Sequence, residues 1–91
     1  MLVPYQSKRY LRDLDRMQRR HKNIDKLNTV IDLLCKQEPL DPKYRDHQLT
    51  GNLKNFRECH IEPDWLLIYK IQHEELILVL TRTGTHSDMR F

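Results

Sequence analysis

Read for the spacing of its apolar residues, the chain changes character near Pro39. Before Pro39 the apolar positions recur at three- and four-residue steps; after it they alternate or run in short blocks. Tyr10, Leu11, Leu14 and Met17 share one face at about 100° per residue. With Ser7 as an N-cap they predict a first helix over residues 8–21. Ile24, Leu27, Val30, Ile31 and Leu34 predict a second over 24–37, and the polar break His21-Lys22-Asn23 is the length of a connection between antiparallel helices. Glu38-Pro39-Leu40-Asp41-Pro42 ends that helix, because each proline lacks an N–H and disfavours helix in the residue before it. A polar loop from Lys43 to Asn52 is expected next, with Gly51 as a turn residue.

Three strand patterns follow, over residues 56–61, 65–71 and 76–82, joined at Pro63-Asp64 and at Gln72-His73-Glu74. In the first, alternation sets Phe56, Glu58 and His60 on one face and Arg57, Cys59 and Ile61 on the other. Such short connections require antiparallel pairing. Residues 1–5 form a candidate leading strand, which Pro4 confines to an edge or a strand end. The expected fold class is α+β, two helices packed on one face of a sheet in two layers.

Length and composition narrow this further. Ninety-one residues make one domain with a modest core, and 38% hydrophobic with 32% charged residues is not the profile of a disordered chain. No apolar run reaches the length of a membrane span, and Met1-Leu2-Val3-Pro4 lacks a signal-peptide core, so a cytoplasmic location without a membrane partner is expected. Cys35 and Cys59 belong to no CxxC pair and fall in apolar patterns, as buried reduced thiols do. The net charge of +3 is mild, but its distribution is not. Eight Lys and Arg lie between Lys8 and Lys26 against three acids, Asp13, Asp15 and Asp25. Arg9, Arg12, Arg16 and Arg19 form a stripe nearly opposite the apolar face of the first helix. A charged stripe is ordinarily a solvated face; one this purely basic also suits phosphate.

The chemistry-bearing residues gather in the C-terminal half. His60 and Asp64-Trp65 flank one turn, and the last strand, antiparallel to the one that starts at Trp65, returns Arg82 and His86 to the same end of the sheet. His47 joins them only if its loop folds over the sheet. Taken singly, a histidine is more often structural, Trp65 more often core and Arg82 more often a surface ion pair. Their convergence beside a basic helix changes the balance. His47, His60, Asp64 and His86 are all potential metal ligands, but their spacing matches no compact ligand motif and no metal is expected. Cleavage of RNA by acid–base chemistry fits better. The 2′-OH attacks the adjacent phosphorus, one imidazole removing its proton and another protonating the 5′-oxygen. The Arg82 fork suits the phosphorane, and Trp65 can stack a base.

The run Arg57-Glu58-Cys59-His60-Ile61-Glu62-Pro63-Asp64-Trp65-Leu66-Leu67-Ile68-Tyr69-Lys70 closely resembles the core of the YafQ toxins, a branch of the RelE superfamily of bacterial toxin–antitoxin systems. Asp46-His47-Gln48-Leu49-Thr50-Gly51 and Arg82-Thr83-Gly84-Thr85-His86 match its other two blocks in the right order, and Arg20-His21-Lys22 with Lys26-Leu27 resembles its helical half. The resemblance covers nearly the whole chain. It implies helices leading onto a four-stranded antiparallel sheet, and a metal- and cofactor-free endonuclease that cleaves mRNA on the ribosome. It also implies a cognate antitoxin that blocks this activity, with operator DNA bound only through the antitoxin complex. By matching position, His47, His60, Asp64 and His86 would be the acid–base and supporting groups, Arg82 would steady the phosphate and Trp65 would line the site. The basic helix would dock ribosomal RNA. The branch carries a Phe four residues after the last His; here that position is Arg90, and Phe91 follows as the expected site residue, one place out of register. Cleavage of free RNA, a non-catalytic antitoxin- or operator-binding role, and a metal-dependent hydrolase are the alternatives.

Overall fold

A computed structural model of the chain describes residues 1–89, so Arg90 and Phe91 lie outside the described residues. The order of elements is β1 (Val3–Gln6), α1 (Lys8–Arg19), α2 (Ile24–Cys35), β2 (His47–Gln48), β3 (Arg57–Glu62), β4 (Trp65–Gln72) and β5 (Ile77–Gly84), with 3-10 turns at Pro42–Tyr44 and Gly51–Leu53. The class is α+β as expected, but the sheet is not the four-stranded antiparallel one. It has five strands in the order β1-β5-β4-β3-β2, and β1 runs parallel to β5.

The leading strand supplies the parallel pair. Val3 N–H donates to the Leu76 carbonyl, so alternation turns the nitrogen of Pro4 toward the open edge, where its missing hydrogen costs no ladder bond. The fifth strand is the two-residue β2, inside what the sequence presents as a polar loop; it pairs His47 with Glu58 and Gln48 with Arg57.

Tyr10, Met17, Leu27, Val30, Leu34, Cys59, Trp65, Leu67, Tyr69, Leu78 and Leu80 are buried together between the helices and the sheet. A smaller cluster of Leu66, Ile68 and Met89, with Leu49 and Phe56 at its margin, covers the opposite face. The alternation expected for β3 holds: Cys59 and Ile61 enter the helix-side core, while Phe56 packs on the other side. Both cysteines are buried and unpaired, and burial pushes the Cys59 thiol up to about 12. The buried face of α1 is Tyr10, Asp13 and Met17; Leu11, expected inside, is 46% exposed. An aspartate has taken the place of a leucine on the inner face. Among the described residues no helix is long and apolar enough to cross a membrane.

Polar contacts fix α1 against the sheet. The β1–β5 pairing ends at Gln6 and Leu80, and α1 takes over the open edge of β5 beyond that point. Ser7 Oγ accepts from Tyr10 N–H as the helix cap and donates to the Thr81 carbonyl at 3.1 Å. At the far end Arg20 grips Asp88 with two bonds, of 2.7 and 3.2 Å, and Thr85 N–H donates to the same carboxylate at 2.9 Å. A Cβ added at Gly84 would lie 2.9 Å from Asp88, so only glycine lets this turn close.

Ser7→Ala is expected to lower stability by about 1 kcal/mol, read as a fall in the urea midpoint with an unchanged slope. The Arg20 and Thr85 hydrogen bonds hold the Asp88 carboxyl well below the usual carboxylate range. A depressed acid contributes stability above its unfolded pKa, about 3.9, and loses that contribution as pH falls through the folded one. Asp88→Asn is therefore expected to cost stability at pH 7 and to flatten the acid limb below about pH 4, followed by circular dichroism against pH.

Candidate functional site

Strand register builds the site. Directly paired residues face the same side of a sheet, so the pairs His47–Glu58, Glu58–Ile68 and Ile68–Arg82 form one row across β2, β3, β4 and β5. The neighbouring row is His60–Leu66–Gly84. Both lie on the face away from the helices, over the floor made by Leu66 and Ile68. Just beyond the second row, the Pro63-Asp64 turn meets the segment after β5, and the His60 and His86 ring centroids are 5.8 Å apart. The structure thus brings together His47, His60, Asp64 and His86, and seats Arg82 in the same row. His47 arrives on a strand rather than on a folded-over loop.

Each histidine is anchored at Nδ1 by an oxygen. His47 Nδ1 lies 2.7 Å from the Arg45 carbonyl, His60 Nδ1 3.3 Å from the Pro63 carbonyl, and His86 Nδ1 2.5 Å from Asp64 Oδ1. A carbonyl or an ionised carboxylate can only accept, so the proton sits on Nδ1 in the neutral ring and Nε2 is left to exchange protons. Arg45 adopts a left-handed φ of 49° to present its carbonyl. Asp64 also accepts from His86 N–H at 3.0 Å, and this bond and the imidazole's hold its carboxyl below the ordinary aspartate range. His86 is therefore the imidazole backed by a full negative charge, whereas His47 and His60 lean on neutral carbonyls.

Glu58 was not among the residues singled out from sequence. Its Oε1 lies 3.7 Å from His60 Nε2 and 3.9 Å from His47 Nε2. Alternation already set it on the face of His60, and that signal was enough to find it. Behind β2, Tyr69 Oη donates to Asp46 Oδ1 at 2.5 Å and Arg57 pairs with Asp46 at 3.2 Å, so the residue before His47 is tied to two strands. Burial and the neighbouring carboxylate push the Tyr69 hydroxyl well above the usual phenol range.

Three expectations change. Trp65, expected to line the site and stack a base, is 0% exposed; it lies in the helix-side core, its Nε1 donating to Thr83 Oγ1 at 2.9 Å. Strand alternation explains this: Trp65 faces with Leu67 and Tyr69, opposite Leu66 and Ile68. Arg82 is not an unengaged fork. Its Nε and Nη2 donate to Asp13 at 2.8 and 3.3 Å, and Nη2 also to the Asp88 carbonyl at 3.2 Å. The basic stripe divides: Arg16 reaches Asp13 at 3.4 Å and Asp88 at 3.9 Å, and Arg19 pairs with Asp15 at 2.7 Å, while Arg9 and Arg12 have no ionic partner among the described residues. Phe91 lies outside the described residues. Among those residues, no three His, Cys, Asp or Glu side chains are arranged to hold a metal ion. A cleft of about 550 Å³ opens beside His60 and Pro63 and is lined also by Lys26, Lys43, Tyr44 and Arg45.

The chain as a whole has close counterparts among known proteins. Residues 3–90 match the family described as the bacterial toxin of type II toxin–antitoxin system, YafQ. The Escherichia coli K12 protein named mRNA interferase toxin YafQ is 43% identical over 82 residues, covering 89% of this chain and 87% of its own. A solved structure of a metal-bound toxin from Helicobacter pylori superposes with a TM-score of 0.93 at 42% identity, covering 99% of this chain and 100% of that one. The toxin in a crystal structure of the Escherichia coli DinJ–YafQ complex superposes with a TM-score of 0.88 at 36% identity over 100% of both chains. This chain belongs to the YafQ family of bacterial toxins of type II toxin–antitoxin systems.

Proposed function

We propose that this protein is an endoribonuclease that cleaves mRNA on the ribosome without a metal, and that a cognate antitoxin restrains it. The mRNA-interferase name of a relative 43% identical to it and the DinJ–YafQ complex of a structural neighbour support the activity and the partner. The observation that carries the mechanism is the common orientation of the three imidazoles, each anchored at Nδ1 with Nε2 left for proton transfer.

In the reaction a base takes the 2′-OH proton, the O2′–P bond forms, the P–O5′ bond breaks, and an acid protonates O5′. The products are a 2′,3′-cyclic phosphate and a 5′-OH. His86 is assigned as the acid, because its Nδ1 rests on the Asp64 carboxylate and its Nε2 is left to donate to O5′. His60 and His47, which share Glu58, form the base side. Arg82 carries the positive charge that opposes the phosphorane. Trp65 acts as a buttress beneath the site, and Arg9 and Arg12, with Arg16 and Arg19 beside them, meet ribosomal phosphates.

The test is cleavage of a defined mRNA with and without ribosomes, in a chelator selective for transition metals that leaves the magnesium the ribosome itself needs, comparing the parent with His86→Ala and His60→Ala. The parent is expected to cut on ribosomes in chelator, and each variant to lose about 10²–10⁴-fold. Parent-like rates in both variants would remove the assignment, loss of cutting in chelator would remove the metal-free mechanism, and equal cutting of free RNA would remove the ribosome. The rate is expected to follow a bell-shaped pH profile; a flat one between about pH 5 and 8 excludes histidine titration.

A further inference from the structure

We propose that Asp13, on α1, is a positioning residue for Arg82, fixing which edge of the guanidinium faces the substrate. The inference rests on the proposed role of Arg82 at the phosphate. Asp13 is 1% exposed on the inner face of a helix that is otherwise strongly basic. Its carboxylate takes Nε and Nη2 of Arg82, at 2.8 and 3.3 Å, and the backbone N–H of Thr83 at 3.2 Å. The last contact fills the edge position of β5 that β1 is too short to reach. Nη2 is committed a second time, to the Asp88 carbonyl. The one guanidinium nitrogen with no partner among the described residues is Nη1, on a side chain that is 10% exposed.

An arginine on a bare strand end would sample many rotamers, and fixing it would oppose each turnover. Held on two nitrogens by a buried carboxylate, it presents Nη1 in one direction before substrate arrives, and a preorganised charge needs no reorganisation during the reaction. Arg16, 3.4 Å from Asp13 Oδ1, adds a second positive charge to the carboxylate and balances the α1 side of the pair. Sequence position hides the connection, because the partners are 69 residues apart.

The experiment is a double-mutant cycle on ribosome-dependent cleavage with Asp13→Asn, Arg82→Ala and the double variant. Asparagine keeps an oxygen for Thr83 N–H but not the charge that orients Arg82. Asp13→Asn is expected to lower kcat about 10- to 100-fold with KM within about twofold, and the double variant is expected to be no worse than Arg82→Ala alone. Parent-like kcat in Asp13→Asn, or losses that multiply in the double variant, overturns the proposal. Arg82→Ala cleaving at the parent rate overturns the underlying role of Arg82, and loss with Arg82→Ala but none with Asp13→Asn overturns the positioning role alone. Nitrogen-15 NMR of the parent, which needs no variant to fold, is expected to show slow Nε–H exchange and restricted guanidinium rotation for Arg82, unlike Arg9 and Arg12. Free rotation at Arg82 would also overturn it.

Discussion

The carboxylate of Asp13 is the point on which the first helix, the last strand and the candidate site all depend. It is almost wholly buried, which for an ionised group is costly unless every lone pair is met. Arg82, Arg16 and Thr83 N–H meet them. Pairs of this kind add little net stability compared with well-packed apolar residues, yet removing one partner costs about 3–5 kcal/mol. The contact ties α1 to the edge of β5 in the register that brings Asp13 to Arg82 and to Thr83 N–H.

The same helix reaches the segment after β5 through Arg20 and Asp88, and that segment carries His86. Two of the proposed reacting groups, Arg82 and His86, are thus held in relation to α1, while His60 is placed by the β3–β4 hairpin and His47 by the short strand β2. The site is assembled where an ionic framework along one sheet edge meets a hydrogen-bonded framework, Asp46 with Tyr69 and Arg57, along the other. Between them lies the apolar floor of Leu66 and Ile68.

Charge on α1 follows from this division of labour. A stripe of four arginines reads from sequence as a single basic surface, but Arg16 turns inward to the Asp13–Asp88 framework and Arg19 closes onto Asp15. The two arginines of the stripe with no ionic partner among the described residues, Arg9 and Arg12, sit toward the start of the helix. The end of the helix nearer the last strand segment braces the fold, through Arg16 and Arg20.

Much was decided by the sequence alone. Periodicities of 3.6 and 2 set two helices and three long strands, because those repeats decide which side chains leave water. Hairpin connectivity then brought His60, Asp64, Arg82 and His86 to one end of the sheet, and alternation set Glu58 beside His60. What stayed hidden depended on contacts distant along the chain. The two-residue strand β2 is too short to show a period, and the parallel β1–β5 pair joins residues more than seventy positions apart. Trp65, more often core when taken singly but placed at the site by its resemblance, is decided only once the sheet has an inside. Asp13 reads as one acid among many basic residues until Arg82 lies against it. Local pattern reports how a segment meets solvent; only the folded chain decides which charge meets which.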